Sequence, residues 1–168
     1  MAQTIYGAQP GQNPYNEVNL SYDVIGKNSE QFTYGDIVTV DASNGAKVAG
    51  ATDSVYGVYA GNGVTMAANN QTVGKVTPPL IPYDTDTEFL MGTNSDLSAL
   101  TSPSSYYKIT GTTGVQQVDV ASGVQTTTNR VVMCTKVDPN GVGGTGAGSG
   151  LRQGLFKFVR VFNVKSNT

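Results

Sequence analysis

The chain has no histidine, no tryptophan and a single cysteine, and only 13% of its 168 residues are charged. Histidine is the side chain most often used as a general base and as a metal ligand near neutral pH. Its absence, with no cluster of metal-ligating residues to replace it, leaves no catalytic, cofactor-binding or metal-binding residue to name, and a non-enzymatic protein is expected. One cysteine excludes an internal disulfide framework. Cys134 lies in the apolar run Val131-Val132-Met133-Cys134, where a buried structural thiol is expected. Without tryptophan, the aromatic platforms usual in carbohydrate-binding modules are poorly supplied. No apolar stretch approaches the ~20 residues of a membrane span. The opening residues MAQTIYGAQPGQNPY lack the basic start and apolar centre of a signal peptide, so synthesis and retention in a host cytoplasm are expected. Ten basic residues against twelve acidic ones form no basic stripe, so neither nucleic acid nor membrane is an expected partner.

What remains is a chain long enough for one domain with a core, and polar without being charged. Its charged fraction is roughly half the ~25% of ordinary soluble domains, and its apolar fraction is 38%. Disorder throughout is not expected, because the net charge is only −2. Few charges suit a surface that packs against copies of itself or a larger assembly, since charged residues are depleted in interface cores; an ordinary β protein with a Thr/Asn/Gln surface fits the composition equally.

The organising stretch runs from Gly35 to Gly61. Ile37-Val38-Thr39-Val40-Asp41 is a β-branched strand, and Ala42-Ser43-Asn44-Gly45 carries the Asn-Gly signal of a hairpin. Ala46 to Ala49 returns, Gly50 to Asp53 turns again, and Ser54 to Ala60 makes a third strand. The pattern predicts a β-meander. Further strands are predicted at Thr72–Val76, Tyr106–Ile109, Val115–Val120, Arg130–Val137 and Gly154–Phe162, with a helical turn capped by Asn94 or Ser95. The fold class is therefore all-β, a small barrel or sandwich with a β-meander core and an extended N-terminal arm. Residues 1–30 form the arm and 31–168 a single β domain.

Gly7, Pro10, Gly11 and Pro14 interrupt any regular element in the arm. Its spaced Tyr6, Pro10, Tyr15 and Tyr22 are the candidate contacts for docking in extended form on a partner. Deletion of residues 1–25 is expected to leave the domain folded. Asp84, Asp86 and Glu88 alternate onto one strand face, where carboxylates can hold Ca²⁺ or act as an acid–base set, but a solvated face is expected. Gly141, Gly143 and Gly146 match G-x-G-x-x-G, yet a strand follows where a dinucleotide site needs a helix, so a plain loop is expected. Asn19-Leu20-Ser21 and Asn70-Gln71-Thr72 match the glycosylation pattern by chance. The last strand is apolar on both faces. Either this strand is central within one core, or one face packs on a neighbouring copy; Leu155, Val159 and Val161 on one face are the candidate oligomer interface, and Phe156, Phe158 and Phe162 line the other.

Three features together resemble the decoration (head-stabilising, cement) proteins of tailed bacteriophage capsids. They are the Gly-Asp-Ile-Val-Thr-Val-Asp segment with its Val55-Tyr56-Gly57-Val58 strand, the tract Tyr83 to Leu90 followed by Asp96-Leu97, and the late Gly/Ser/Thr loop closed by Gln153-Gly154-Leu155-Phe156-Lys157-Phe158. The resemblance covers roughly residues 35 to 164 and lies in pattern; the first thirty residues do not match position by position. It implies a small all-β protein without catalytic residues that clamps capsomers from outside, often as a homotrimer. The expected partner is then the major capsid protein and the expected location the outer surface of the virion. Alternatives are a head fibre, tail or neck component, or a carbohydrate- or receptor-binding β module.

Overall fold

The computed structural model describes residues 7–12, 20–41, 43, 45–82, 87–98, 101–126, 128–138 and 151–160. In chain order the strands are β1 (Ala8–Gln12), β2 (Gln31–Phe32), β3 (Ile37–Asp41), β4 (Gly45–Val48), β5 (Gly57–Tyr59), β6 (Val64–Thr65), β7 (Leu80–Pro82), β8 (Glu88–Leu97), β9 (Tyr106–Thr110), β10 (Gln117–Asp119), β11 (Val132–Val137) and β12 (Leu151–Phe158). The fold is all-β, as the sequence predicts.

Five strands, in the order β8-β10-β9-β11-β12, close back on β8 to form a barrel. An odd ring cannot alternate direction throughout, and the parallel pair falls between β8 and β10 at Thr93 and Val118. The inward residues follow strand alternation: Tyr107 and Ile109 from β9, Cys134 from β11, and Phe156 and Phe158 from β12 are all buried. Phe89 of β8 sits opposite Phe156, and its ring lies 5.0 Å from that of Phe158. Register shifts at Cys134/Lys136 and Leu151/Gln153 mark bulges, which add the local bend a small barrel needs.

A second, four-stranded sheet has the order β4-β3-β5-β7. β3, β4 and β5 fall close to the predicted stretches and β7 was not predicted, but β5 pairs with β3 rather than with β4, so the connectivity departs from a sequential meander. After β4 the chain turns at 50–53, where Gly50 N–H donates to the Asp53 carboxylate. Val55 is then drawn towards the barrel, donating to the Arg160 carbonyl at 2.8 Å. Its side chain is fully buried in the barrel-side core. The chain must therefore come back along the free edge of β3. Both faces of this sheet are covered. Ile37, Val58 and Ile81 join the barrel-side core, while Val38, Tyr59 and Leu80 pack with Phe32, Ala46 and Met66 in a smaller outer cluster. Gly45 has φ +78, the conformation that the Asn-Gly turn predicts.

Three further expectations need correction. The N-terminal segment is extended, but its described residues dock on this chain. β1 pairs antiparallel with β8 from Ala8↔Met91 to Gln12↔Glu88, and Ala8 is buried in the core. Gly7 has φ +73, and a Cβ there would sit 2.5 Å from the Gly35 carbonyl oxygen. Ser21 bridges Leu80, and Gly26 bridges Ala46. A boundary at residue 30 therefore cuts through one hydrogen-bonded unit. Thr72–Val76 is not a strand: Asn70–Gly74 forms a π-helical turn. Buried Asn70 donates to the Gly26 and Val76 carbonyls and accepts from Val76 N–H, which replaces the partners a strand would supply. The predicted helical turn at Asn94 lies within the ten-residue β8. There Asn94 bonds Asp119 and Ala121 N–H instead of capping a helix.

Candidate functional site

Two surfaces stand out, one on each sheet system. Residues 20–26 run antiparallel to 76–80 along the outer edge of β7. Ser21 and Leu80 exchange backbone hydrogen bonds of 2.7 and 3.0 Å, and Gly26 N–H donates to the Val76 carbonyl at 3.0 Å. Val24 turns in against the Phe32 cluster. Leu20, Tyr22 and Val76 are instead exposed along this ribbon, with Tyr22 at 55%. The π-helical turn is tied to the ribbon through Asn70 and through Gln71 N–H donating to Asn28, and it presents Val73 at 72% exposure. Pro78 and Pro79 have no backbone N–H, so this edge is poorly built to accept another strand. It offers side chains.

The second surface is an open groove of about 510 Å³ at one end of the barrel, lined by Tyr106, Thr128, Arg130, Val159 and Arg160. The pairing of β11 with both β9 and β12 assembles it: Met133 faces Tyr106, and Val159 N–H donates to the Val131 carbonyl at 2.8 Å. The Arg130 guanidinium lies 4.5 Å over the Tyr106 ring, a cation–π contact. Arg130 donates to the Thr126 carbonyl and Arg160 to the Thr128 carbonyl. The ion pairs among the described residues join Lys27 to Glu30, Lys108 to Asp119 and Arg152 to Asp96. Both groove arginines stand outside them.

The buried polar groups hold the fold together. Asp36 accepts from Thr33 and Gly114 N–H groups at 2.7 Å each. Burial raises its carboxyl above the usual range; those two donors oppose the rise, and the Glu30 charge adds to it. Gln116 accepts from Ile37 N–H at 2.6 Å and donates to the Ala49 carbonyl at 2.9 Å, joining the barrel to the four-stranded sheet. At Asp119 burial also pushes upward, but bonds from Ser122, Asn94 and Lys108 outweigh it and hold the carboxyl below its usual range. Burial pushes the Cys134 thiol up to about 11. Among the described residues, no group of three or more His, Cys, Asp or Glu side chains could hold a metal ion.

Of the predicted contact residues, Tyr22 is exposed on the ribbon, whereas the backbone of Pro10 pairs with Phe89 inside this chain's own sheet. Tyr6 and Tyr15 lie outside the described residues, as do Val161, Asp84, Asp86 and the Gly141–Gly146 motif. Leu155 is half-buried on the outer side of β12, and Val159, 39% exposed, belongs to the groove. Glu88 opens β8 and is half-buried. Sequence reasoning missed the groove because Arg130 and Arg160 are far apart in the chain. The available signal was an arginine at the end of each of two apolar strands that pair. No protein-family model, curated protein or solved structure matches the chain.

Proposed function

We propose that this protein is a non-enzymatic structural component of a tailed-phage virion, a decoration protein that binds the outer surface of the head through its major capsid protein. The observation that supports this best is the ribbon of exposed Leu20, Tyr22, Val73 and Val76 on a chain with 13% charged residues. Apolar and tyrosine side chains on a weakly charged surface have the composition of an interface core. The pattern resemblance of residues 35 to 164 to capsid decoration proteins supplies the kind of partner. Each copy bridges neighbouring capsomers, and many modest contacts resist internal pressure by avidity. The resemblance adds a homotrimer, for which outward-facing Leu155 on β12 is the contact to test by light scattering of a Leu155→Asp variant.

Quantitative mass spectrometry of purified virions tests the reading. A decoration protein is present at a copy number comparable to that of the major capsid protein. A few copies per particle would move the protein to the tail, neck or head fibres, and its absence from particles would end the proposal.

A further inference from the structure

A bridging protein needs a second attachment besides the ribbon, and the barrel-end groove has a different chemistry. We propose that the groove formed by Tyr106, Arg130, Val159 and Arg160 docks an acidic segment of a partner protein. The two guanidiniums hold a carboxylate, and an adjoining apolar side chain rests on Val159. This deepens the decoration reading by assigning a contact to the partner it invokes.

The argument starts from the donors. Each guanidinium carries five N–H groups in a planar fork that matches a carboxylate. The loop carbonyls of Thr126 and Thr128 each take one bond from them. Stacking on Tyr106 restrains Arg130, which lowers the entropy lost when a ligand is held. Neither arginine is matched by a carboxylate among the described residues, although every one of the three ion pairs there is locally satisfied. On a chain of net charge −2, two adjacent arginines make a local field of opposite sign to the whole. Two cations are too few for a phosphate backbone, which needs a basic stripe. Exposed Val159 in the same groove favours a peptide over a bare anion.

The test follows the Arg130 and Arg160 side-chain N–H resonances of the full chain during titration with the capped peptide Glu-Val-Glu-Val-Glu. Saturable shifts at both arginines are expected, fading as salt rises. Arg130→Gln and Arg160→Gln should each weaken binding by about fivefold or more, with Arg130→Lys intermediate because it keeps charge but loses the fork. Thermal unfolding checks that each variant is folded. No saturable shift, an equal response to the Gln-Val-Gln-Val-Gln analogue, or tighter binding of inorganic phosphate overturns the proposal. Co-sedimentation with undecorated heads separates this from the function. Wild-type binding with unaltered binding of both Arg→Gln variants overturns the groove and leaves the decoration reading standing. If wild type fails to bind heads while the peptide titration succeeds, the decoration reading falls and the groove stands.

Discussion

In the barrel, β9 reads half-buried, buried, half-buried, buried, half-buried, and β12 places Gly154, Phe156 and Phe158 inward with Leu155 and Lys157 outward. In the four-stranded sheet, neighbours Ile37 and Val38 are both buried, as are Val58 and Tyr59, and Leu80 and Ile81. A closed barrel supplies its own cover, so one face suffices. The smaller sheet lies between the barrel and a thin outer layer that includes Phe32 and Met66, so both its faces are apolar. A thin layer leaves apolar residues near its rim partly uncovered. The exposed Leu20, Tyr22 and Val76 lie along that rim, whereas the barrel gives mainly an arginine groove.

The comparison predicts where the fold is most sensitive. Phe156 is fully buried at the barrel centre, and Phe156→Ala should cost about 3–5 kcal/mol in urea unfolding. Phe32→Ala should instead speed hydrogen exchange selectively in β2, β4 and β6 while β9 and β12 stay protected. Uniform acceleration would make the two regions one cooperative unit. Gln116→Ala breaks the joint between them by unpairing Ile37 N–H and the Ala49 carbonyl, at about 1–3 kcal/mol for each group left unsatisfied. Removing residues 1–12 should lower the urea midpoint, because β1 covers an edge of β8.

Smaller effects separate the regions by pH. Asp119, held low, contributes stability that is present above pH 3.8 and lost as pH falls through its folded value. Asp36, held high, contributes stability that is full below 3.8 and lost as pH rises through its folded value. Acid therefore loosens the barrel latch at β10 and relieves the turn before β3. Asp119→Asn should flatten the fall in stability below pH 4, and an unchanged acid limb would contradict this. Smallest in energy is Cys134. With its thiol buried and pushed up to about 11, it should resist a disulfide reagent at pH 8 until urea unfolds the chain.

The barrel strands were legible because alternation at Tyr107/Ile109 and Phe156/Phe158 survives in the sequence. The strand order was not, since β5 chooses β3 through contacts of Val55 with a residue more than a hundred positions away. The π-helical turn was hidden for the same reason: Asn70 satisfies Gly26, far back in the chain. At Asn94 the local capping signal was real, but Asp119 and the ladder to β12 outbid it. Of the surfaces, Tyr22 could be read from its type and setting. The pairing of Arg130 with Arg160 required the barrel to close.

The central claim, that the rim ribbon is the adhesive face, is tested most directly by measuring saturation binding of a Tyr22→Asp/Val76→Asp variant to undecorated heads. Both side chains are more than half exposed, so the double variant should unfold within about 1 kcal/mol of wild type. The account predicts that this folded variant loses binding by at least about tenfold. Binding equal to wild type, with the fold intact, would contradict it.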